Sequence, residues 1–203
     1  MTSPPVTSML LIRHAESADS ARQVCHGTLD IPLSSGGVVQ ADRISNHLED
    51  AKFDAVYASP RRRAVATAAA VAAKHGLEPI PREDLAEIDF GAFEGRTFDE
   101  IAASHPELYA QWMSEPASMR FPGGESFGDL RARVTSEIAR IRREHRGGSV
   151  AVVTHGGVIR AVLADVLGLN NEAIFRIDQT WGGMTFVEYV GDEPILRYIN
   201  VWV

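Results

Sequence analysis

The chain has 203 residues, 45% of them hydrophobic, enough for one well-buried core, and a net charge of −7 at pH 7. An acidic surface argues against nucleic acid or an anionic membrane as partner, though it leaves room for a locally basic pocket that takes a small anion. A single cysteine, Cys25, excludes an internal disulfide; Met1 to Met9 lacks both the basic start and the apolar length of a signal peptide or membrane span, so a soluble cytoplasmic chain is expected.

In chain order, Ser8–Ile12 (SMLLI) is a continuous apolar run, which predicts a strand buried on both faces. A weaker helical pattern spans Val38 to Glu49. Ala55–Ala58 (AVYA) predicts a second strand; behind it Ser59-Pro60 predicts a helix start, with Ser59 as cap, Pro60 at the first helical position and Gly76 as stop. Ile88–Gly124 is less regular and rich in aromatics, too long for a connector, and reads as an excursion over one end of the sheet. Near Ser126 a helix begins that sets Leu130, Val134, Ile138 and Ile141 on one face and ends at Gly147-Gly148. Val150–Thr154 (VAVVT) is the clearest strand, followed by a helix from about Gly157 to Leu167. Met184–Val190 and Ile195–Val201 read as strands around a turn at Gly191-Asp192, an edge through which two copies could pair as a homodimer. The alternation predicts an α/β fold with a mostly parallel central sheet flanked by helices on both faces, one domain over 1–203, with 88–124 as an irregular or helical insertion over the active site.

Open α/β sheets bind ligands beyond the carboxyl ends of their strands, beside helix N-termini. Three predicted strands end there in polar groups: Arg13-His14-Ala15-Glu16, Ser59-Pro60-Arg61-Arg62-Arg63 and His155-Gly156-Gly157. Strand placement alone therefore predicts two histidines and at least one arginine in one crevice. The guanidinium fork matches phosphate oxygens and stays charged at any working pH. A helix after Gly156 directs free N–H groups toward the same anion. Neighbouring cations lower a histidine's pKa, which keeps its imidazole neutral and nucleophilic. Three arginines in a helix's first turn oppose its dipole at about 0.3–1 kcal/mol each when exposed, and a bound dianion reverses that sign. The pattern is that of a phosphate pocket with a histidine aimed at phosphorus.

Five blocks in order, LLIRHAES, YASPRRRAVATA, LAEIDFGAFEG, FPGGES and VVTHGG, make the chain from Leu10 to about Gly168 resemble the histidine phosphatase superfamily, also called phosphoglycerate mutase-like. The resemblance implies that fold and a phosphomonoesterase of the histidine acid phosphatase type. It further implies action on a small phosphorylated metabolite through a phosphohistidine, with no metal and no cofactor. Residue by residue, it implies His14 as the phosphorylated nucleophile, Arg13 and Arg63 as grips on the phosphoryl oxygens, and His155 as donor to the transferring group. Glu87 matches the general acid, and His26-Gly27 the loop over the substrate. Ser20 stands where many members carry an asparagine that contacts the phosphate region; Ala15 replaces a glycine, and Arg61 replaces a leucine and adds charge at the rim.

The remaining polar groups read as structural. Glu94 is expected to brace a turn and Glu125 to cap the following helix; His47, His75, His105 and His145 fall on exposed faces or loops. Arg140, Arg142, Arg143 and Arg146 form a solvated face near a helix C-terminus, and Cys25 is a bystander beside the substrate loop. No P-loop, dinucleotide fingerprint or zinc pattern is present. Two alternatives stay open. One is a mutase of the same family acting on phosphoglycerate, disfavoured by the compact stretch from Glu87 to the PGGES block. The other is a non-catalytic binder of phosphorylated ligands, disfavoured because nucleophile and acid are both kept.

Overall fold

Apolar runs become strands here because both faces of the sheet are covered. The computed structural model describes residues 4–18 and 24–203. Its strands are β1 (Val6–Arg13), β2 (Ala55–Ala58), β3 (Pro79–Pro81), β4 (Ser149–Thr154), β5 (Met184–Val190) and β6 (Glu193–Val201), in the sheet order β3-β2-β4-β1-β5-β6. The pairs β1–β4, β2–β4 and β2–β3 are parallel, while β1–β5 and β5–β6 are antiparallel. The short β3 escapes the apolar pattern, because two of its three residues are proline, tolerated on a sheet edge.

Alternation along the strands separates two cores. Met9, Leu11, Tyr57, Val150 and Val152 face one side, and Leu10, Ile12, Val56, Ala151 and Val153 the other. The helices are α1 (Ser35–His47), α2 (Arg62–Lys74), α3 (Phe98–Ser104), α4 (Pro106–Ser114), α5 (Phe127–Glu144) and α6 (Gly156–Val166). Helices α5 and α6 cover the first face, α1 and α2 the second. The stripe Leu130, Val134, Ile138 and Ile141 buries fully or nearly so, at roughly 1.5–3 kcal/mol per side chain. Among the described residues no helix is long and apolar enough to cross a membrane.

Several expectations need correction. Helix α2 begins at Arg62 with Arg61 as N-cap and no side-chain cap bond, so Ser59 does not cap it. Helix α1 starts earlier than Val38, because Ser34 accepts the Gly37 N–H and supplies a cap. The stretch 88–124, expected as an irregular or helical insertion, holds two helices, α3 and α4, each too short for a period to stand out in the sequence. Their Trp112 joins Phe90, Phe93 and Phe121 in one aromatic cluster, with neighbouring rings 4.9–6.1 Å apart. Glu125 does not cap α5; it pairs with Arg133 at 2.7 Å and accepts the Asp89 N–H. Ser126 is the cap, in a reciprocal box with Asp129. Ser126→Ala is expected to lower the unfolding free energy by about 1 kcal/mol, read as a reduced urea midpoint at constant m. Arg142 is not simply solvated, since its guanidinium lies 3.9 Å from the Tyr189 ring centroid and bonds the Gly191 carbonyl and Asp192.

Candidate active site

Sheet register brings the site together. Arg13 pairs with Thr154, and Ala58 and Ile12 both pair with Val153, so β1, β2 and β4 finish almost level. The next residues, His14, Ser59 and His155, therefore emerge side by side. Two backbone bonds fix this: His14 N–H to the Thr154 carbonyl at 2.8 Å, and Ser59 N–H to the Val153 carbonyl at 2.9 Å. The imidazoles of His14 and His155 meet edge to face with centroids 5.0 Å apart.

His14 is 5% exposed. Its Nδ1 lies 2.7 Å from the Ala15 carbonyl, which can only accept, so Nδ1 carries the proton and Nε2 keeps its lone pair. Arg63 Nε stands 3.3 Å from that Nε2. Burial, then the charges of Arg63 and Arg13, hold the His14 pKa well below its usual value, and the ring is neutral at pH 7.

Arg63 is itself buried, and most of its donors are already engaged. Nη1 donates to the Leu29 carbonyl at 2.6 Å, and Nη2 to the carbonyls of His26 and Gly27 at 3.1 and 3.0 Å. The arginine thus clamps the 26–29 loop as well as facing His14. Glu94 holds that loop from the other side, accepting the N–H groups of Gly27, Thr28 and Phe90 at 2.8–3.1 Å. A side chain at Gly27 has no room, since a Cβ there would lie 2.0 Å from the Ile88 carbonyl oxygen. Arg13 donates to the Gln179 carbonyl and lies 5.3 Å from the Trp181 ring centroid; burial pulls its pKa down to about 10.

His155 Nε2 lies 2.7 Å from Ser59 Oγ, and its Nδ1 is buried with no partner among the described residues. With the serine hydroxyl donating, Nε2 is the acceptor and Nδ1 bears the proton; His155 is buried against His14 and is not itself among the walls of the cavity that His14 lines. The chain places Ser59 here rather than on the helix. Ser59→Ala is expected to lower kcat about 10-fold, with little change in KM, as the second imidazole loses its fixed tautomer. An equal rise in KM at constant kcat would instead mark a role in ground-state binding.

Glu87 takes the Gly157 N–H on Oε2 at 3.0 Å and the Ile88 N–H on Oε1 at 2.9 Å. Gly157 permits this approach, because a Cβ there would come within 2.2 Å of Oε1. Arg13, His14, His26, Arg63 and Glu87 line one cavity of about 350 Å³, with Phe90, Trp112 and Trp181 among its walls. Gly27 contributes through its backbone, and Ser20 lies outside the described residues. Cys25 also faces the cavity, but burial raises its thiol to about 12, leaving it protonated. His47, His75, His105 and His145 are not among the cavity's walls. The sequence reading did not foresee Ser59 as a partner of His155, or Gln179 and Trp181 as partners of Arg13, since these contacts join residues 96 to 168 positions apart.

The sequence matches the profile of the histidine phosphatase superfamily (branch 1) over residues 9–201. It is 33% identical over 165 residues to phosphoserine phosphatase 1 of Hydrogenobacter thermophilus, covering 81% of this chain and 78% of that protein. It is 36% identical over 160 residues to the metal-independent phosphoserine phosphatase of Arabidopsis thaliana, covering 77% of this chain and 67% of that one. Among solved structures, the alpha-ribazole phosphatase from Shigella flexneri superimposes with a TM-score of 0.87 at 27% identity, covering 96% of each chain.

Proposed function

The chain belongs to the histidine phosphatase superfamily (branch 1), and from that premise we propose that it hydrolyses a small phosphomonoester without a metal ion, through phosphate carried on His14. Membership together with the phosphoserine phosphatase relatives supports a phosphoric monoester hydrolase; the covalent route, the metal independence and the residue roles are the proposal. The observation that carries it is a neutral imidazole whose Nε2 lone pair accepts the Nε–H of a buried guanidinium that can turn to an incoming phosphoryl oxygen, at the end of a strand flanked by a second histidine.

The chemistry follows from those groups. His14 Nε2 attacks phosphorus in line, forming the P–N bond as the bond to the ester oxygen breaks. Arg13, the Arg63 Nε–H and the His155 Nδ1–H stabilise charge on the equatorial oxygens, the work a divalent cation does in other phosphotransferases. Glu87 gives its proton to the departing alkoxide, and then takes one from the water that attacks the phosphohistidine. The P–N bond breaks, inorganic phosphate leaves, and neutral His14 and protonated Glu87 are restored. His26 and Gly27, tied to Arg63, form the loop over the substrate. A cytoplasmic location belongs to the same proposal, and fits a chain with one cysteine.

The direct test mixes the protein with a radiolabelled phosphodonor and quenches within milliseconds. Label that is labile in acid, stable in base and absent from His14→Ala is the expected result. No label, with phosphate release continuing, would overturn the covalent route. Release of inorganic phosphate with no requirement for a bisphosphate separates hydrolysis from mutase chemistry.

A further inference from the structure

A second cavity, of about 150 Å³, lies against the first. Glu87, Phe90 and Trp112 border both. Its other walls include Phe121, Phe127, Leu130 and Phe175, and Arg160 closes one side. Phosphate chemistry does not require this space. Glu87, the proposed proton donor, stands on the border of the two cavities, so an alcohol leaving His14 past Glu87 can extend into the second.

The lining restricts what fits. An apolar cavity of this size is large enough for benzene, and it gains little from a short zwitterionic alcohol, which would have to shed its water against aromatic rings. Among the described residues Arg160 is the one charged group facing the cavity besides Glu87. Its Nε donates to the Ile177 carbonyl at 2.9 Å, and the charges of Glu87 and Asp178 act on it. With Nε engaged, its terminal N–H groups can meet an acceptor at the edge of a ring.

We infer that this cavity is a leaving-group subsite, and that the preferred substrates are phosphomonoesters of alcohols bearing a ring-sized apolar group with a hydrogen-bond acceptor at its rim. This rests on the phosphatase reading above and narrows its substrate class. The leaving oxygen then lies at the border of the two cavities, beside the carboxyl group that protonates it.

The test compares kcat/KM for ethyl phosphate, phosphoserine and the series benzyl, 2-phenylethyl and 3-phenylpropyl phosphate. One arylalkyl ester is expected to exceed ethyl phosphate on the order of 100-fold, with a maximum along the series where the ring seats. A carboxylate at the ring's para position raises it further, and Arg160→Gln cancels that gain. Phe175 is 42% exposed, so Phe175→Ala is compatible with folding, and it is expected to shrink the arylalkyl-to-ethyl ratio at least 5-fold. Equal turnover of all five esters, or a ratio untouched by Phe175→Ala, overturns the subsite while leaving the phosphatase intact. Failure of every ester, together with no label on His14, overturns the phosphatase reading itself.

Discussion

His14→Ala is expected to abolish turnover, with kcat falling on the order of a millionfold as for other lost nucleophiles, while the circular dichroism and the thermal transition stay those of a folded chain. The substitution removes the atom that forms the bond, so no neighbour can stand in for it. Ser59, His155 and Arg63 still fix their own positions through bonds to other groups, which keeps the defect chemical. Residual activity within 10-fold of the parent would refute nucleophilic attack by this residue. The same imidazole sets an expectation for pH. Its pKa in the folded chain is held well below 6.5, chiefly by burial and then by Arg63 and Arg13, so lowering the pH from 8 to 6 does not protonate it. A decline of kcat/KM over that range must come from another group or from the substrate. Stability moves differently. The unfolded imidazoles of His14 and His155 take up protons as the pH falls through about 6.5, and the folded ones do not. The contribution of both to stability is present above that pH and is lost progressively below it.

Glu87→Gln carries the second large effect, and its size depends on the substrate. The carboxyl takes the Gly157 and Ile88 N–H groups on separate oxygens, and the amide can keep only one of them, so a loss common to all substrates reports that bond while the substrate-dependent loss reports the missing proton. With alkyl phosphates, whose alkoxides cannot leave unprotonated, kcat is expected to drop about 10²–10⁴-fold. With p-nitrophenyl phosphate, whose phenolate leaves unaided, the drop in the first step is much smaller. Equal losses on both substrates would count against Glu87 as the proton donor.

The fold was largely legible because its central strands are buried on both faces. Their apolar runs reveal them, and their carboxyl ends mark where chemistry can gather. The convergence of Arg13, His14, Arg63, Glu87 and His155 followed from that placement together with motif resemblance. Ser59 was misassigned because a serine before a proline and a helical run has two partners within reach, a backbone amide and whatever the adjacent strand presents. Only the level ends of β2 and β4 decide for the imidazole. The motif marks Arg63 as a grip on phosphoryl oxygens, but that the carbonyls of the 26–29 loop take most of its hydrogens is a matter of loop path that no residue pattern encodes. Glu125 and Arg142 show the same limit, since local position suggested a cap and a solvated cation while distant partners, Arg133 and Tyr189, determined their roles.

The strand that ends just before His14 is hydrogen-bonded on one side to residues 149–154 and on the other to residues 184–190. Both neighbours lie far along the chain from it, so its pairing on either side has to close a long loop. Until both have docked, the reactive imidazole stands beside an unpaired edge, so enzymatic competence should arrive late in folding and all at once.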